Sequence, residues 1–174
     1  MAGKVRVTRS ANAGKIQGKD VLAYLNYGTG ATEALPQWSL FGGQTTADLS
    51  MSADEIDANS KDSGGWGESY AGIRSTELSL ECIATKADEA YAALKDAFIK
   101  SEVVDICRYF TTDGTAERNW YSITDISDTT PHDDMVTFTI KLKGIGAPTF
   151  YENVKKIADV KGAMTGGTVV ATGG

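Results

Sequence analysis

One histidine and two cysteines are all this sequence offers for metal or nucleophilic chemistry beyond carboxylates and hydroxyls. The histidine, His132, sits in the run Thr130-Pro131-His132-Asp133-Asp134. That run could hold a metal or act as a general base. A polar loop between strands is the plainer reading, and an enzyme centred on His132 stays only as a rival. The spacing of Cys82 and Cys107 matches no zinc or disulfide framework. Both lie in apolar, strand-like contexts and read as reduced core thiols. No run approaches the roughly 18 apolar residues of a transmembrane helix. No apolar signal core follows Met1, so export by the general secretory route is not expected. There is no Gly-x-Ser-x-Gly nucleophile turn. Gly28-Thr29-Gly30-Ala31-Thr32-Glu33 lacks the third glycine of a dinucleotide fingerprint and runs into Pro36.

Basic charge is also scarce where it would matter. The net charge is −6, and binding nucleic acid by phosphate neutralisation needs a basic stripe. The bases that exist are gathered at one end. Residues 1–19 hold Lys4, Arg6, Arg9, Lys15 and Lys19 and no acid, whereas residues 48–68 hold six acids against Lys61. Without interleaved bases, Trp66, Tyr70, Trp120 and Tyr121 read as core or interface aromatics rather than base-stacking platforms.

What the chain does have is alternation. At 174 residues it favours one domain with a core of its own. Ala47, Leu49 and Met51 alternate with Thr46, Asp48, Ser50 and Ser52; Leu78, Leu80 and Cys82 alternate with Glu77, Ser79 and Glu81. A period of two puts apolar and polar sets on opposite faces of a strand. Between these strands, Ala53 to Ser69 reads as a long polar loop, and loops of that length are usually functional. It carries Asp54, Glu55, Asp57, Lys61, Asp62 and Glu68, with Trp66 set among Gly64, Gly65 and Gly67. A tryptophan so placed expects a partner surface to bury it. The acids resemble a calcium loop in composition, but Lys61 falls where an oxygen ligand is needed.

The remaining elements follow in order. Met1 to Gly18 is a basic arm that orders on contact. Lys19 to Asn26 reads as a strand, and the two alternating strands run over Gln37 to Ser52 and Tyr70 to Ile83. Thr85 and Asp88 form a capping box for a helix over about Lys86 to Lys100, whose apolar stripe is Ala87, Ala90, Tyr91, Leu94, Ala97 and Phe98. Glu102 to Tyr109, Arg118 to Ile126 and Met135 to Lys143 read as strands, with Asp113-Gly114 turning between the first two. Gly144 to Pro148 breaks the chain, and Thr149 to Lys161 has weak helical or extended character. Val169 and Val170 suggest a last strand or an arm. The sum is mainly β: a β-sandwich or barrel with one flanking α-helix. The domain reading is residues 1–18 as arm, 19–148 as the sandwich domain and 149–174 as a C-terminal extension.

The polar strand faces are the feature a monomer leaves unexplained. Asp48, Ser50, Glu77, Ser79, Glu81, Thr137, Thr139 and Lys141 could be an ordinary solvated face. A sheet with such a face could also continue edge to edge between subunits and close a ring. Here the sequence resembles the major tail tube proteins of long-tailed bacteriophages. The resemblance rests on Lys19-Asp20-Val21-Leu22, Phe41-Gly42-Gly43-Gln44, and above all on Asp57-Ala58-Asn59-Ser60-Lys61-Asp62-Ser63-Gly64-Gly65-Trp66. It covers roughly Gly18 to Gly146.

That resemblance implies a structural virion protein, synthesised and assembled in the host bacterial cytoplasm, with no catalysis and no cofactor. Its subunits would form hexameric rings that stack into a tube for the passage of double-stranded DNA. Its partners would be itself, a tape measure protein and the tail tip and terminator proteins. Asp48, Ser50, Glu77, Ser79, Glu81, Thr137, Thr139 and Lys141 would face the lumen. The loop with Asp54, Glu55, Asp57, Lys61, Asp62, Trp66 and Glu68 would contact a neighbouring subunit or ring, and Lys4, Arg6 and Arg9 would meet an acidic loop. Two alternatives remain: an inner-tube subunit of a contractile injection or secretion device, and a monomeric β-sandwich that binds a ligand.

Overall fold

The computed structural model describes residues 14–62 and 64–172. Eight strands follow one another as β1 (Val21–Asn26), β2 (Trp38–Leu40), β3 (Gln44–Asp57), β4 (Ser69–Ile83), β5 (Val103–Phe110), β6 (Thr115–Thr129), β7 (Thr137–Glu152) and β8 (Val169–Ala171). Among the described residues one α-helix, α1 (Glu89–Ile99), lies between β4 and β5. The strands form one sheet in the order β2-β1-β5-β6-β7-β4-β3, with β8 beside β7. All pairings are antiparallel except β7 with β8. A mainly β fold with one flanking helix is therefore what the alternation predicts and what the chain adopts.

The sheet folds over on itself. Ala23, Leu25 and Ile106 from one half pack with Leu78, Leu80, Ile140 and Leu142 from the other. Ala90, Leu94 and Ala97 of α1 close this core. Each such leucine or isoleucine contributes about 1.5–3 kcal/mol on burial. Register shifts between Arg118 and Trp120 and between Ile123 and Asp125 bend β6, as bulges do, and let one strand serve both halves. A second cluster joins Cys107, Tyr109, Ala116 and Tyr151 to Val154 and Val160 of the C-terminal segment.

At that second cluster a fully buried arginine ties four segments together. The Arg118 guanidinium donates to Asp105 at 2.6–3.2 Å, to the Gly162 carbonyl at 2.9 Å and to the Glu33 carbonyl at 2.8 Å. It lies over the Trp38 ring, 5.2 Å from its centroid. The Trp38 indole N–H in turn donates to the Val160 carbonyl at 2.9 Å. The C-terminal segment is thus fastened to the sheet, and β7 runs unbroken across residue 148.

Several boundaries differ from the sequence expectation, each for a local reason. The expected strand Gln37–Ser52 is two strands, because the chain turns at Phe41 to Gly43, where Gly43 has φ 63°. Gly144 to Pro148 does not break the chain. Gly146, at φ 73°, and the register shift opposite it bend β7 instead. The helix cap is Asp88 alone: one carboxylate oxygen accepts the Tyr91 N–H at 3.1 Å and the other accepts the Gly42 N–H at 3.0 Å. The Thr85 hydroxyl donates instead to the Ile83 carbonyl, so the expected capping box does not form. Of Thr149 to Lys161, the residues up to Glu152 belong to β7, and those beyond hold only a short 3-10 turn at Ile157–Asp159.

Candidate functional site

Strand register decides which polar residues share a face. Thr46, Glu81, Thr139 and Ser127 form one cross-strand row, and Asp48, Ser79, Lys141 and Asp125 a second. Ser50, Glu77, Lys143 and Ser122 form a third. Thr137 lies one step beyond, opposite Ile83 and Thr129. Leu78, Leu80, Ile140 and Leu142 alternate with these residues and point into the core. All eight residues singled out on the strands therefore lie on one sheet face, opposite the face α1 covers. The Lys143 ammonium sits 3.8 Å from Glu77. The charged groups in these rows are Asp48, Glu77, Glu81 and Asp125 against Lys141 and Lys143, a net negative face.

Five members of these rows lie outside the eight singled out in the sequence. Thr46, Ser122 and Lys143 were legible, since each continues the polar alternation of its own strand. Asp125 and Ser127 were not. The bulge after Ile123 shifts the phase of β6, and a strict period of two assigns them to the wrong face.

Both ends of this four-strand layer are open. Among the described residues, β3 pairs only with β4. On the other side, β5 stops opposite Ser122, so among the described residues Ile123 to Thr129 of β6 have β7 on one side and no strand on the other. Exposed edges of this kind are templates for pairing with another chain.

Beyond Ser50 and Glu77, β3 and β4 leave the sheet as a two-stranded ribbon. Met51 to Asp57 pair only with Ser69 to Thr76. Asp54, Glu55 and Asp57 are thus strand residues of the ribbon, not loop residues, and the loop proper is 58–68. Its neck is fastened by Asn59, whose side chain accepts the Glu68 N–H at 2.6 Å, and by Ala58 N–H to the Glu68 carbonyl at 2.9 Å. Ladder hydrogen bonding can run on where apolar alternation has faded, which is why the pattern undercounted the strands. Asp54, Glu55, Asp57, Lys61, Asp62 and Glu68 are all exposed. Trp66 is 83% exposed at the tip, and Ile73 is 79% exposed on the ribbon shaft. Lys4, Arg6 and Arg9 lie outside the described residues.

The reactive groups offer little chemistry. His132 is exposed on the β6–β7 connection, 3.6 Å from Asp133. Burial pushes the Cys82 thiol up to about 11 and the fully buried Cys107 thiol higher still. Burial likewise raises the Tyr121 phenol. Among the described residues no group of three histidine, cysteine or acidic side chains is placed to hold a metal ion. No helix among them is long and apolar enough to cross a membrane.

Open strand edges, a polar face and a projecting ribbon define a subunit built to assemble with its own kind. The comparison with known proteins narrows that class. A family model described as phage tail tube protein matches residues 15–150, and the chain belongs to that family. It is a structural subunit of a phage tail tube, located in the virion tail.

No curated protein sequence matches the chain. Among solved structures it is similar to a chain in the tail of an empty gene transfer agent particle, refined helically with C6 symmetry. The identity is 26% and the TM-score 0.66, covering 77% of this chain and 97% of that one. A chain of the native gene transfer agent virion gives 22% identity and a TM-score of 0.65 over 77% and 97%. The SPP1 tail tube gives 18% and 0.64 over 75% and 76%.

Proposed function

We propose that six copies form each ring, that rings stack head to tail, and that the polar face of β3, β4, β7 and β6 lines the lumen. The observation that carries this reading is strand direction. Across the layer β3, β4, β7 and β6 alternate down, up, down, up, and among the described residues no strand pairs with the outer side of β3 or with that of β6 from Ile123 to Thr129. Copies related by rotation about the tube axis keep their strand directions. The β6 edge of one copy then meets the β3 edge of the next as one more antiparallel pair. The C6 symmetry of the gene transfer agent tail supports six copies. Four strands from each of six copies, spaced ~4.8 Å apart, give a backbone circumference of ~115 Å and a diameter of ~37 Å before tilt widens it.

Asp48, Ser50, Glu77, Ser79, Glu81, Thr137, Thr139 and Lys141 line that wall. Its net negative charge keeps passing double-stranded DNA from adhering, with a reach of about 8 Å at physiological salt. The ribbon, with Asp54, Glu55, Asp57, Lys61, Asp62, Trp66 and Glu68, leaves the body of its ring to contact a neighbour. Head-to-tail contacts of this kind build open filaments. The basic arm with Lys4, Arg6 and Arg9 meets an acidic ribbon of an adjacent ring. The tape measure protein occupies the lumen before delivery, and tip and terminator proteins close the tube ends. The subunit carries out no catalysis and needs no cofactor.

The test is negative-stain electron microscopy of the purified chain at raised concentration beside sizing chromatography. Hollow tubes or six-membered rings are expected. A strictly monomeric chain, even when seeded with assembled tail tips, refutes the reading. Glu77→Lys with Glu81→Lys should leave assembly intact and slow DNA passage, most at low salt. Unchanged delivery across a salt series would remove the lumen assignment.

A further inference from the structure

We infer that α1 is a roof over the seam between neighbouring subunits, and that Phe98 seats the β3 strand of a second copy. The inference rests on the ring reading above and names the contact that closes it. Three observations carry it. First, among the described residues Ile123 to Thr129 of β6 have no strand on one side, so a strand added there lies beneath whatever overhangs that edge. Second, Tyr91 stacks on Phe138 of β7 with ring centroids 3.9 Å apart, and Phe138 pairs with Asp128 near the end of β6. The N-terminal half of α1 therefore lies over the end of β6. Third, Phe98 falls seven residues after Tyr91, on the same helix stripe, yet stays 44% exposed, whereas Ala90, Leu94 and Ala97 are buried. Part of its ring is therefore open to a partner.

Helix and strand rises place the occupant. Two turns of α1 advance ~10.5 Å from Tyr91 to Phe98, which is about three strand residues. Counting down β6 from Asp128 by three reaches Asp125. An antiparallel continuation that sets Gln44 at the start of β3 opposite Thr129 at the end of β6 brings Asp48 of the second copy opposite Asp125, with Ala47 and Leu49 on either side of it on the apolar face. Ala47, Leu49 and Met51 share the face of β3 that α1 covers, since Leu49 and Ala47 pack on the core. Met51 is 52% exposed in the single subunit. The apolar flank of the helix and the apolar face of the arriving strand thus meet on the outer side of the seam, while the polar rows meet inside it.

The experiment places Phe98→Cys with Leu49→Cys in one chain, and Phe98→Cys with Met51→Cys in another, to span one register step. Each is oxidised after assembly, and the products are separated under denaturing, non-reducing conditions. A ladder of cross-linked species up to the ring number is expected from at least one variant. Phe98→Asp should raise the concentration needed for assembly about tenfold or more at an unchanged monomer Tm, and Phe98→Leu should restore it. Tubes that form normally with neither pair cross-linking, or with Phe98→Asp assembling like the parent, overturn the roof contact while leaving the ring reading standing. Failure of the parent chain to assemble at all overturns both.

Discussion

Replacing Arg118 with alanine removes the partner of a carboxylate that has almost no access to water. Asp105 is 3% exposed and Arg118 is fully buried. Breaking a buried pair from one side typically costs 3–5 kcal/mol, because the remaining charge is left uncompensated. The Glu33 and Gly162 carbonyls lose their donor as well, at about 1–3 kcal/mol each taken alone. Terms that share one side chain do not add, and Asn26 still donates to Asp105 at 2.8 Å. A loss of about 4 kcal/mol is therefore expected, out of a total stability of about 5–15 kcal/mol. For a chain of this size that lowers Tm by roughly 8–16 °C. The assay is urea unfolding of the monomer at low concentration, with limited proteolysis beside it. Cleavage after Lys155, Lys156 and Lys161 should accelerate, because the C-terminal segment loses its anchor. Adding Asp105→Asn to Arg118→Ala removes the stranded charge and keeps a group that can bond Asn26, and should recover about 2 kcal/mol. An Arg118→Ala cost under about 1 kcal/mol, or no recovery in the double variant, would refute the reasoning.

Other changes test other parts of the structure. Trp66→Ala should leave the fold and Tm unchanged, since the ring is exposed, but weaken tube elongation by about 2 kcal/mol, a hot-spot loss read as a roughly thirtyfold rise in critical concentration. Gly144→Ala should destabilise the monomer by about 1–3 kcal/mol by urea unfolding, because a methyl there overlaps the Thr76 hydroxyl and crowds the Asn119 amide. Neither thiol should react with a disulfide reagent in the native state at pH 8. Burial holds Cys82 near 11 and Cys107 above it, so both stay protonated. Labelling that proceeds without unfolding would contradict that burial.

The legible parts of this chain were those written as alternation or as a stripe. Leu78, Leu80 and Cys82 against Glu77, Ser79 and Glu81 fixed both faces of β4, and Ala90, Leu94 and Ala97 fixed the buried side of α1. The parts that escaped depend on contacts between segments distant in sequence. Gly42 claims one oxygen of Asp88 from 46 residues away while the other caps Tyr91, and Ala87, at φ 61°, stands outside the helix. The bulge beyond Ile123 brings Asp125 into the row of Lys141, which no pattern within β6 announces. The β4 arm of the ribbon was legible from Tyr70 onward, whereas the β3 arm beyond Ser52 escaped, because the alternation fades into Asp54-Glu55 there while the ladder continues to Asp57. The exposure of the Trp66 loop was legible from composition alone: a large apolar ring in a run of glycines and acids stands open to solvent.

The polar layer contains an even number of strands. Parity has a consequence for how such a subunit can vary. With four strands, the first and last run in opposite directions, so any number of copies can be joined around a circle and every joint repeats the pairing found inside the subunit. Loss or gain of a single strand would make the outer pair run the same way, and each joint would change to the parallel kind. Change in this layer is therefore tolerated in hairpins, two strands at a time, whereas the copy number is left to curvature.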